Sequence, residues 1–374
     1  MRRVSGVIAF LGALALAAPV ALAKKDNSAK GDDVKLTHVK TAQGEVKAER
    51  ADASGEVQLT LDPELQKAAT KLLAATKAPS GAIVVSDVKT GRILAWASRG
   101  SEGDMVRKAK YPGASLFKVV TAATLLDKDK LHLGDTVCYQ GGESRLVEDD
   151  IKPGCRSGDA KVKFEVALGR SLNVVFARAA MKHLKPSVLA GMAEDFGIGA
   201  PPPLDLPADA TSIKIPDDDL GFARAASGFG VAKMSPLAAL DIMTTIANGG
   251  ERLRLTVSGA PDDVKRQSLG RVIKRDTARD LVRMLEVTTR SGTSAKAFAP
   301  QEGKPTLSVA GKTGTLLYKK PKRLVSWFAG FAPSREPEIA VAVMLANDEK
   351  WWRKGNEVAR DVFDAYFELK KKRK

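Results

Sequence analysis

The sequence contains few of the residues on which many metal and cofactor sites depend. Its 374 residues include only two cysteines and three histidines. Two cysteines cannot form a four-cysteine zinc site, and His38, His132 and His183 lack metal-ligand spacing. There is also no glycine-rich loop of the nucleotide-binding type. We therefore expect neither a metal site nor a bound cofactor, and a catalytic base other than histidine.

Aromatic residues are also scarce, at 5% of the chain, whereas the formal net charge is +16. No run of arginine and lysine alternates with aromatic side chains, so a stacking platform for single-stranded nucleic acid is not supported. The charge surplus still indicates either a polyanionic neighbour or simply a solvated basic surface. We expect no nucleic-acid partner.

Long apolar runs are absent except near the N-terminus. Arg2 and Arg3 precede an apolar run from Val4 to Leu22, which ends in small residues before Lys24. This pattern is typical of a secretory signal peptide, predicted over residues 1–23, with an uncleaved membrane anchor as the alternative. We therefore expect an exported protein of the periplasm or cell envelope.

Two further segments have a composition poor in large apolar residues. Residues 24–55 are rich in charged and small residues and bury too little surface to offset the entropy of ordering, which predicts a flexible charged arm. Residues 370–374 form a basic tail, which we also expect to be disordered.

Cys138 and Cys155 form an even pair in a chain that we expect to be exported. The stretch between them contains several glycines and a proline, as an exposed loop would. We expect a disulfide that adds about 3 kcal/mol in the chain-entropy model, with two free thiols as the alternative.

The order of predicted elements indicates an α+β fold. Residues 82–85 and 92–96 form a predicted hairpin, and three strands follow in residues 308–345. Helices are predicted between them, over residues 115–126, 164–169, 172–183, 236–247 and 277–288. We therefore expect an antiparallel sheet built from both chain ends, flanked by helices, with an inserted all-helical subdomain.

The segment Ser115-Leu116-Phe117-Lys118 is a candidate nucleophile and base. Residues three apart on a helix share a face, so the serine hydroxyl and the lysine amine can meet. A partly buried lysine has a lowered pKa and can accept the serine proton. A helix that starts beside Ser115 also directs unpaired N–H groups toward the reaction centre. This motif is weak by itself because Ser-x-x-Lys arises often by chance.

Two later motifs carry polar side chains that could face the same cleft. Ser171 and Asn173 flank one residue at a predicted turn, where a hydroxyl can relay a proton and a carboxamide can hold a peptide. The alternative is that Ser171 caps a helix. Lys312-Thr313-Gly314-Thr315 lies in a predicted edge strand, where glycine permits close approach of a substrate backbone. The alternative is a strand end with a solvated lysine.

Taken in order, these three motifs resemble the signature of penicillin-binding proteins and serine β-lactamases. Other segments match the transpeptidase domain of penicillin-binding proteins in the same order, so that the resemblance covers residues 56–369. These segments are residues 59–66, 81–95, 111–115, 227–230, 235–237, 246–250, 292–293 and 327–333.

The resemblance implies a serine-type D-Ala-D-Ala transpeptidase or carboxypeptidase that acts on peptidoglycan stem peptides and binds β-lactams such as penicillin. Ser115 would form the acyl-enzyme, with Lys118 as base. Ser171 would pass a proton to the leaving D-Ala, and Asn173 would hold the peptide amide. The remaining implied roles are proton-network support for Lys312, substrate contact for Thr313, Gly314 and Thr315, and an oxyanion hole from the N–H groups of Ser115 and Thr315.

Other activities on the same fold remain as alternatives. A carboxypeptidase or endopeptidase would use the same residues, and a non-catalytic wall-binding protein would keep the fold alone. A β-lactamase is disfavoured because residues 201–211 contain no glutamate that could activate a deacylating water. The positive charge further suggests contact with an anionic wall polymer or a membrane surface.

Overall fold

The described part of the chain begins at residue 33. The computed structural model describes residues 33–42, 44–142, 145–230, 232–304 and 306–373. The predicted signal peptide, residues 1–23, and residues 24–32 of the predicted arm lie outside these ranges.

Strands and helices are numbered in chain order over the described residues. The strands are β1 (Val34–Ala42), β2 (Glu45–Arg50), β3 (Glu56–Leu59), β4 (Ser80–Asp87), β5 (Ile93–Arg99), β6 (Tyr111–Pro112), β7 (Thr136–Tyr139), β8 (Ala160–Lys163), β9 (Ser212–Ile213), β10 (Ala232–Met234), β11 (Glu251–Leu253), β12 (Ser268–Arg271), β13 (Ala310–Lys319), β14 (Lys322–Ala332) and β15 (Ile339–Asn347). The α-helices are α1 (Pro63–Ala75), α2 (Phe117–Asp127), α3 (Phe164–Arg170), α4 (Asn173–His183), α5 (Pro186–Asp195), α6 (Asp219–Ala226), α7 (Pro236–Ala247), α8 (Arg275–Arg290) and α9 (Gly355–Lys372).

A five-stranded sheet in the order β13-β14-β15-β4-β5 forms the centre of the molecule. All four neighbouring pairs are antiparallel. The predicted hairpin, β4 and β5, therefore joins the predicted C-terminal strands through the pairing of β4 with β15. This confirms the expectation of one antiparallel sheet built from both ends of the chain.

Helices cover both faces of this sheet, as the fold class predicts. On one face, α1 and α9 pack their apolar side chains, such as Leu65 and Phe363, against Val85 and Val343 of the sheet. Asp62 caps α1 by accepting hydrogen bonds from N–H groups of its first turn, and Pro63 follows at the first helical position, where proline is well tolerated. Helices α2, α7 and α8 pack on the opposite face. Within the described ranges, no helix combines the length and hydropathy needed to cross a bilayer.

The insertion between β5 and β13 is mainly helical, but it also contains short strand pairs. The pairs β7–β8 and β11–β12 and the three-stranded group β6-β10-β9 lie within it. Cys138 of β7 and Cys155 form the predicted disulfide, with a Cα–Cα distance of 5.4 Å, within the usual range. The description "all-helical" is thus incomplete, because sequence patterns two to four residues long are too short to predict strands.

The predicted flexible arm differs from the structure over its described part. Strands β1 and β2, together with β3, form a three-stranded antiparallel sheet. Val34, Leu36, Val46 and Ala48 are buried in the main core. They alternate with charged residues, so one face of these strands is apolar although the overall composition is not. The alternation of apolar and polar residues thus determines the structure here, and the overall composition does not. This corrects the expectation of a flexible arm for β1 and β2.

The predicted basic tail also differs from the structure. Helix α9 continues through Lys372 and so includes most of the segment that was expected to be disordered. The Arg373 guanidinium then lies 3.0 Å from Asp62 and 2.7 Å from Glu64 at the start of α1. These ion pairs stabilise the end of α9, because they hold Arg373 against the carboxylates of Asp62 and Glu64. Lys374 lies outside the described residues.

Candidate active site

Ser115 lies in a single turn of 3-10 helix, Ala114–Leu116, that leads directly into α2. Ala114 has a positive φ of 48°, an unusual conformation for a residue with a side chain. Gly228 packs against this turn, and a Cβ atom there would lie 2.3 Å from the Ala114 carbonyl oxygen. A glycine at position 228 therefore allows the strained turn to hold Ser115 in place.

Lys118 lies one helical turn after Ser115 and is completely buried. Its Nζ is 2.9 Å from Oγ of Ser115, and it donates a hydrogen bond of 2.6 Å to the carbonyl oxygen of Ser227. Burial lowers the pKa of Lys118 well below its ordinary value, and the nearby Lys312 ammonium lowers this pKa further. The amine is thus poised to accept the proton of the serine hydroxyl.

Ser171 and Asn173 lie on either side of the junction between α3 and α4. Ser171 ends α3 in the left-handed conformation, with φ 59°. The N-cap position of α4 is occupied by residue 172 and not by Ser171. Ser171 therefore does not cap that helix. The Asn173 Nδ2 group donates a hydrogen bond of 2.8 Å to the carbonyl oxygen of Gly142. The sharp chain reversal at Ser171 directs the two polar side chains into one cleft.

Lys312 lies on β13, an edge strand of the central sheet, and is completely buried rather than solvated. Its Nζ donates hydrogen bonds of 2.9 Å to Oγ of Ser171 and to the carbonyl oxygen of Thr313. Burial lowers the pKa of Lys312 to about 7. This lysine therefore connects the edge strand with the junction of α3 and α4.

The remaining residues of the third motif shape the edge of β13. Thr313 and Thr293 place their hydroxyl oxygens 2.6 Å apart. A Cβ atom on Gly314 would lie 2.9 Å from the carbonyl oxygen of Gly113 and 3.1 Å from Cβ of Trp327. Glycine at position 314 thus lets the edge strand approach the turn that carries Ser115, whereas the expectation from the sequence was a substrate backbone in this space.

A cavity of about 270 Å³ brings five predicted site residues together. Its walls carry hydroxyl and amide groups, and within the described ranges no aspartate or glutamate lines it. Among all residues that the structure describes, no cluster of three metal-binding side chains is found. The lining residues are Ser115, Ser171, Asn173, Thr293, Thr313, Thr315, Ser326, Trp327, Lys354 and Asn356.

Sequence reasoning missed two lining residues at the start of α9, Lys354 and Asn356. The Gly355 N–H between them donates a 2.8 Å hydrogen bond to Ser326 Oγ, and Asn356 donates one of 3.0 Å to Ser294 Oγ. These contacts fasten the helix start to β14 and to the segment after α8, beside the cavity. No local pattern distinguishes either residue in the sequence, because tertiary packing alone brings them to the site.

This geometry supports covalent catalysis by a serine. A hydroxyl beside a buried amine of lowered pKa can lose its proton and attack a carbonyl carbon. A second buried amine, 2.9 Å from the Ser171 hydroxyl, offers a route for returning a proton to a leaving group. The arrangement therefore suits acyl transfer without a metal or a histidine.

Comparisons with known proteins agree with this chemistry. The family described as penicillin binding protein transpeptidase domain matches residues 81–368. The peptidoglycan D,D-transpeptidase PbpA of Mycobacterium tuberculosis (strain ATCC 25618 / H37Rv) is 28% identical over 345 residues, which cover 80% of this chain and 68% of that protein.

Solved structures are similar in fold as well. The transpeptidase domain of penicillin-binding protein 3 from Burkholderia pseudomallei is 25% identical, with a TM-score of 0.69, over 84% of this chain and 95% of that one. The ceftriaxone acyl-enzyme complex of penicillin-binding protein A from M. tuberculosis is 24% identical, with a TM-score of 0.66, over 83% and 79% of the two chains. From the family match over most of its length, together with its fold and the contact of Ser115 with the buried Lys118, the chain belongs to the penicillin-binding protein transpeptidase family.

Proposed function

We propose that this protein is a peptidoglycan D,D-transpeptidase that acts on the D-Ala-D-Ala ends of stem peptides through an acyl-enzyme on Ser115. One observation carries the proposal: Nζ of the completely buried Lys118 lies 2.9 Å from Oγ of Ser115. Burial lowers the pKa of that lysine well below its ordinary value, so its neutral form, which can act as a base, is more accessible than that of an exposed lysine.

The first half of the reaction forms the acyl-enzyme. Lys118 takes the hydroxyl proton while Oγ of Ser115 bonds to the carbonyl carbon of the penultimate D-Ala. The backbone N–H groups of Ser115 and Thr315 stabilise the oxyanion. The C–N bond then breaks, and the proton reaches the leaving D-Ala amine through Ser171.

Substrate binding would use the other residues of the cleft. Asn173 holds the peptide amide, and Lys312 supports the terminal carboxylate together with Thr313 and Thr315. Gly314 keeps β13 close to the turn with Ser115, and the substrate backbone would lie along this edge strand of the sheet. An amine of a second stem peptide then attacks the acyl carbon, which releases Ser115 and forms the cross-link.

β-Lactams would react by the same first step, in which Ser115 attacks the lactam carbonyl. This attack opens the ring, and no fragment is released that could leave the site. The acyl-enzyme complex of the M. tuberculosis relative with ceftriaxone supports this step by analogy. The lack of a carboxylate among the described cavity-lining residues favours a slowly hydrolysed adduct over β-lactamase turnover. Transfer to water, as in a carboxypeptidase or endopeptidase, remains the second candidate.

We place the enzyme outside the cytoplasm, where its relatives build the cell wall. The disulfide between Cys138 and Cys155 supports this location, since disulfides persist in oxidising compartments. The signal peptide over residues 1–23 stays a prediction. A net charge of +16 also supports contact with an anionic wall polymer or a membrane surface.

Intact-mass spectrometry with penicillin tests the proposed function. The wild-type chain from residue 24 onward should gain the mass of one penicillin, whereas Ser115→Ala should gain none. Ser268→Ala is the matched control, since this exposed serine lies on β12, and it should be acylated like the wild type. An unmodified wild type with intact penicillin would indicate a non-catalytic wall-binding protein. Consumed penicillin without an adduct would indicate a β-lactamase.

A further inference from the structure

Asn173, which we place in the substrate site, contacts a part of the chain to which the proposed mechanism gives no role. That part is the cross-linked segment, residues 136–163, which contains β7, β8 and the disulfide. The Gly142 carbonyl of this segment accepts the hydrogen bond from Asn173 Nδ2. A hydrogen bond to one amide N–H restricts the rotation of the whole carboxamide group, because the group is planar.

Gly142 is fitted closely to the first turn of α4. Its φ is +72°, and a Cβ atom there would lie 2.2 Å from the Cγ2 atom of Val174. Val174 and Leu146 belong to one small apolar cluster, which joins the cross-linked segment to α4 and α6. The position of the Gly142 carbonyl therefore depends on how the whole segment is held against α4.

Arg178, also on α4, holds the other end of this segment. Its guanidinium donates hydrogen bonds of 2.8 Å to the carbonyl oxygen of Asp150 and 3.0 Å to that of Cys138. It also forms an ion pair of 2.8 Å with Asp159, and the two side chains are only 9% and 1% exposed. A single buried guanidinium thus ties together three separate stretches of the segment, which a point-charge ammonium could not do with the same geometry.

We infer that Arg178 is a positioning residue for Asn173. It holds the cross-linked segment so that the Gly142 carbonyl orients the Asn173 carboxamide toward the substrate amide. The inference rests on the proposed function, because it assigns a cause to the orientation of a residue that would bind substrate.

A double-mutant cycle tests the inference, with the second-order rate of acylation by a fluorescent penicillin as the readout. Arg178→Ala should slow acylation roughly tenfold when Asn173 is present, and less than about twofold in an Asn173→Ala background. Arg178→Lys should be intermediate, because it keeps a charge near Asp159 but loses the forked contacts. Equal losses in the two backgrounds would overturn the inference.

Arg252→Ala is the matched control. It removes another largely buried ion pair, in which Arg252 lies 2.7 Å from Asp241. Both residues lie outside the cross-linked segment. Its melting temperature should fall, but its acylation rate should stay within about twofold of the wild type. If Arg252→Ala slows acylation as much as Arg178→Ala for the same loss of melting temperature, the effect of Arg178 is merely one of stability and the inference fails.

Two further measurements keep the inference testable whatever the behaviour of Arg178→Ala. Gly142→Ala would introduce a clash with Val174. In a double-mutant cycle with Asn173→Ala, it should slow acylation when Asn173 is present and much less when Asn173 is absent. Hydrogen–deuterium exchange should speed up around Gly142 in Arg178→Lys, and unchanged exchange would overturn the inference. This second readout does not require acylation, so a wild type that fails to react with penicillin would contradict the proposed function alone.

Discussion

The two buried lysines of the site influence each other. Burial lowers the pKa of both, and the Lys312 ammonium lowers the pKa of Lys118 further. A lysine acts as a base only in its neutral form, which predominates above its pKa. Acylation should therefore be lost as the pH falls through the pKa of the pair, whose titration is shared rather than assigned to one residue.

Lys312→Gln provides a test with a definite sign. The substitution removes a neighbouring positive charge, so the pKa of Lys118 rises and the ascending limb of the pH–rate profile moves to higher pH. The rate of penicillin acylation between about pH 5 and pH 10 measures this shift, on top of a loss of roughly tenfold or more in the maximal rate. Lys67→Gln, which changes an exposed lysine of α1, should leave the profile in place. A limb that does not move in Lys312→Gln would show that the charges do not interact.

Sequence reasoning was most successful for residues whose spacing reflects chemistry. Ser115 and Lys118 are three apart on a turn and a helix, so local geometry alone predicts their contact. The position of Lys354 in the cavity depends instead on the packing of α9 against β14, which no local pattern encodes. The contact between Asn173 and Gly142 was missed for the same reason.

At the level of elements, the turn that carries Ser115 relies on the loop after α6. Gly228 and Gly230 of this loop both have positive φ, 82° and 74°. A Cβ atom on Gly228 would collide with the Ala114 carbonyl, whereas one on Gly230 would meet nothing within 4 Å. The two glycines thus share a backbone requirement but differ in their contact with the turn.

Gly228→Ala and Gly230→Ala separate these two effects. Both should lose about 1 kcal/mol of stability, because alanine is strained at positive φ, and Gly228→Ala should lose more through its collision with the Ala114 carbonyl. Only Gly228→Ala should also slow penicillin acylation, by roughly tenfold or more, since the turn with Ser115 must shift. Thermal unfolding and acylation rates measure the two effects. Equal acylation rates in the two variants would contradict a role for the close contact.

Long, strongly patterned elements were predicted well, and short or compositionally unusual ones were not. The hairpin of β4 and β5 follows from apolar runs around a glycine turn, and α7 from a proline start and a glycine-rich end. Helix α6 was missed because it is only eight residues long and contains Gly221 in its first turn. Strand β1 was missed because charged neighbours masked its alternation.

For the molecule as a whole, the net charge of +16 is the basis of the proposed contact with an anionic wall polymer. Salt screens charges beyond about 8 Å at physiological ionic strength. Retention on isolated sacculi should therefore fall as NaCl rises from about 50 mM to about 500 mM, while penicillin acylation changes little. Binding assays by sedimentation measure the retention, and salt-independent retention would exclude an electrostatic contact with the wall.

The central sheet is built from strands near both ends of the chain, and this also affects the order in which the site is assembled. Lys312 and Ser171 touch although they are 141 positions apart in the chain, and Lys312 belongs to a strand that joins the sheet through β14 and β15. A chain that emerges N-terminus first would expose Ser115 long before this strand arrives. Contacts between distant parts of a chain form late in folding. The site around Ser115 is therefore complete only after the last strands have docked.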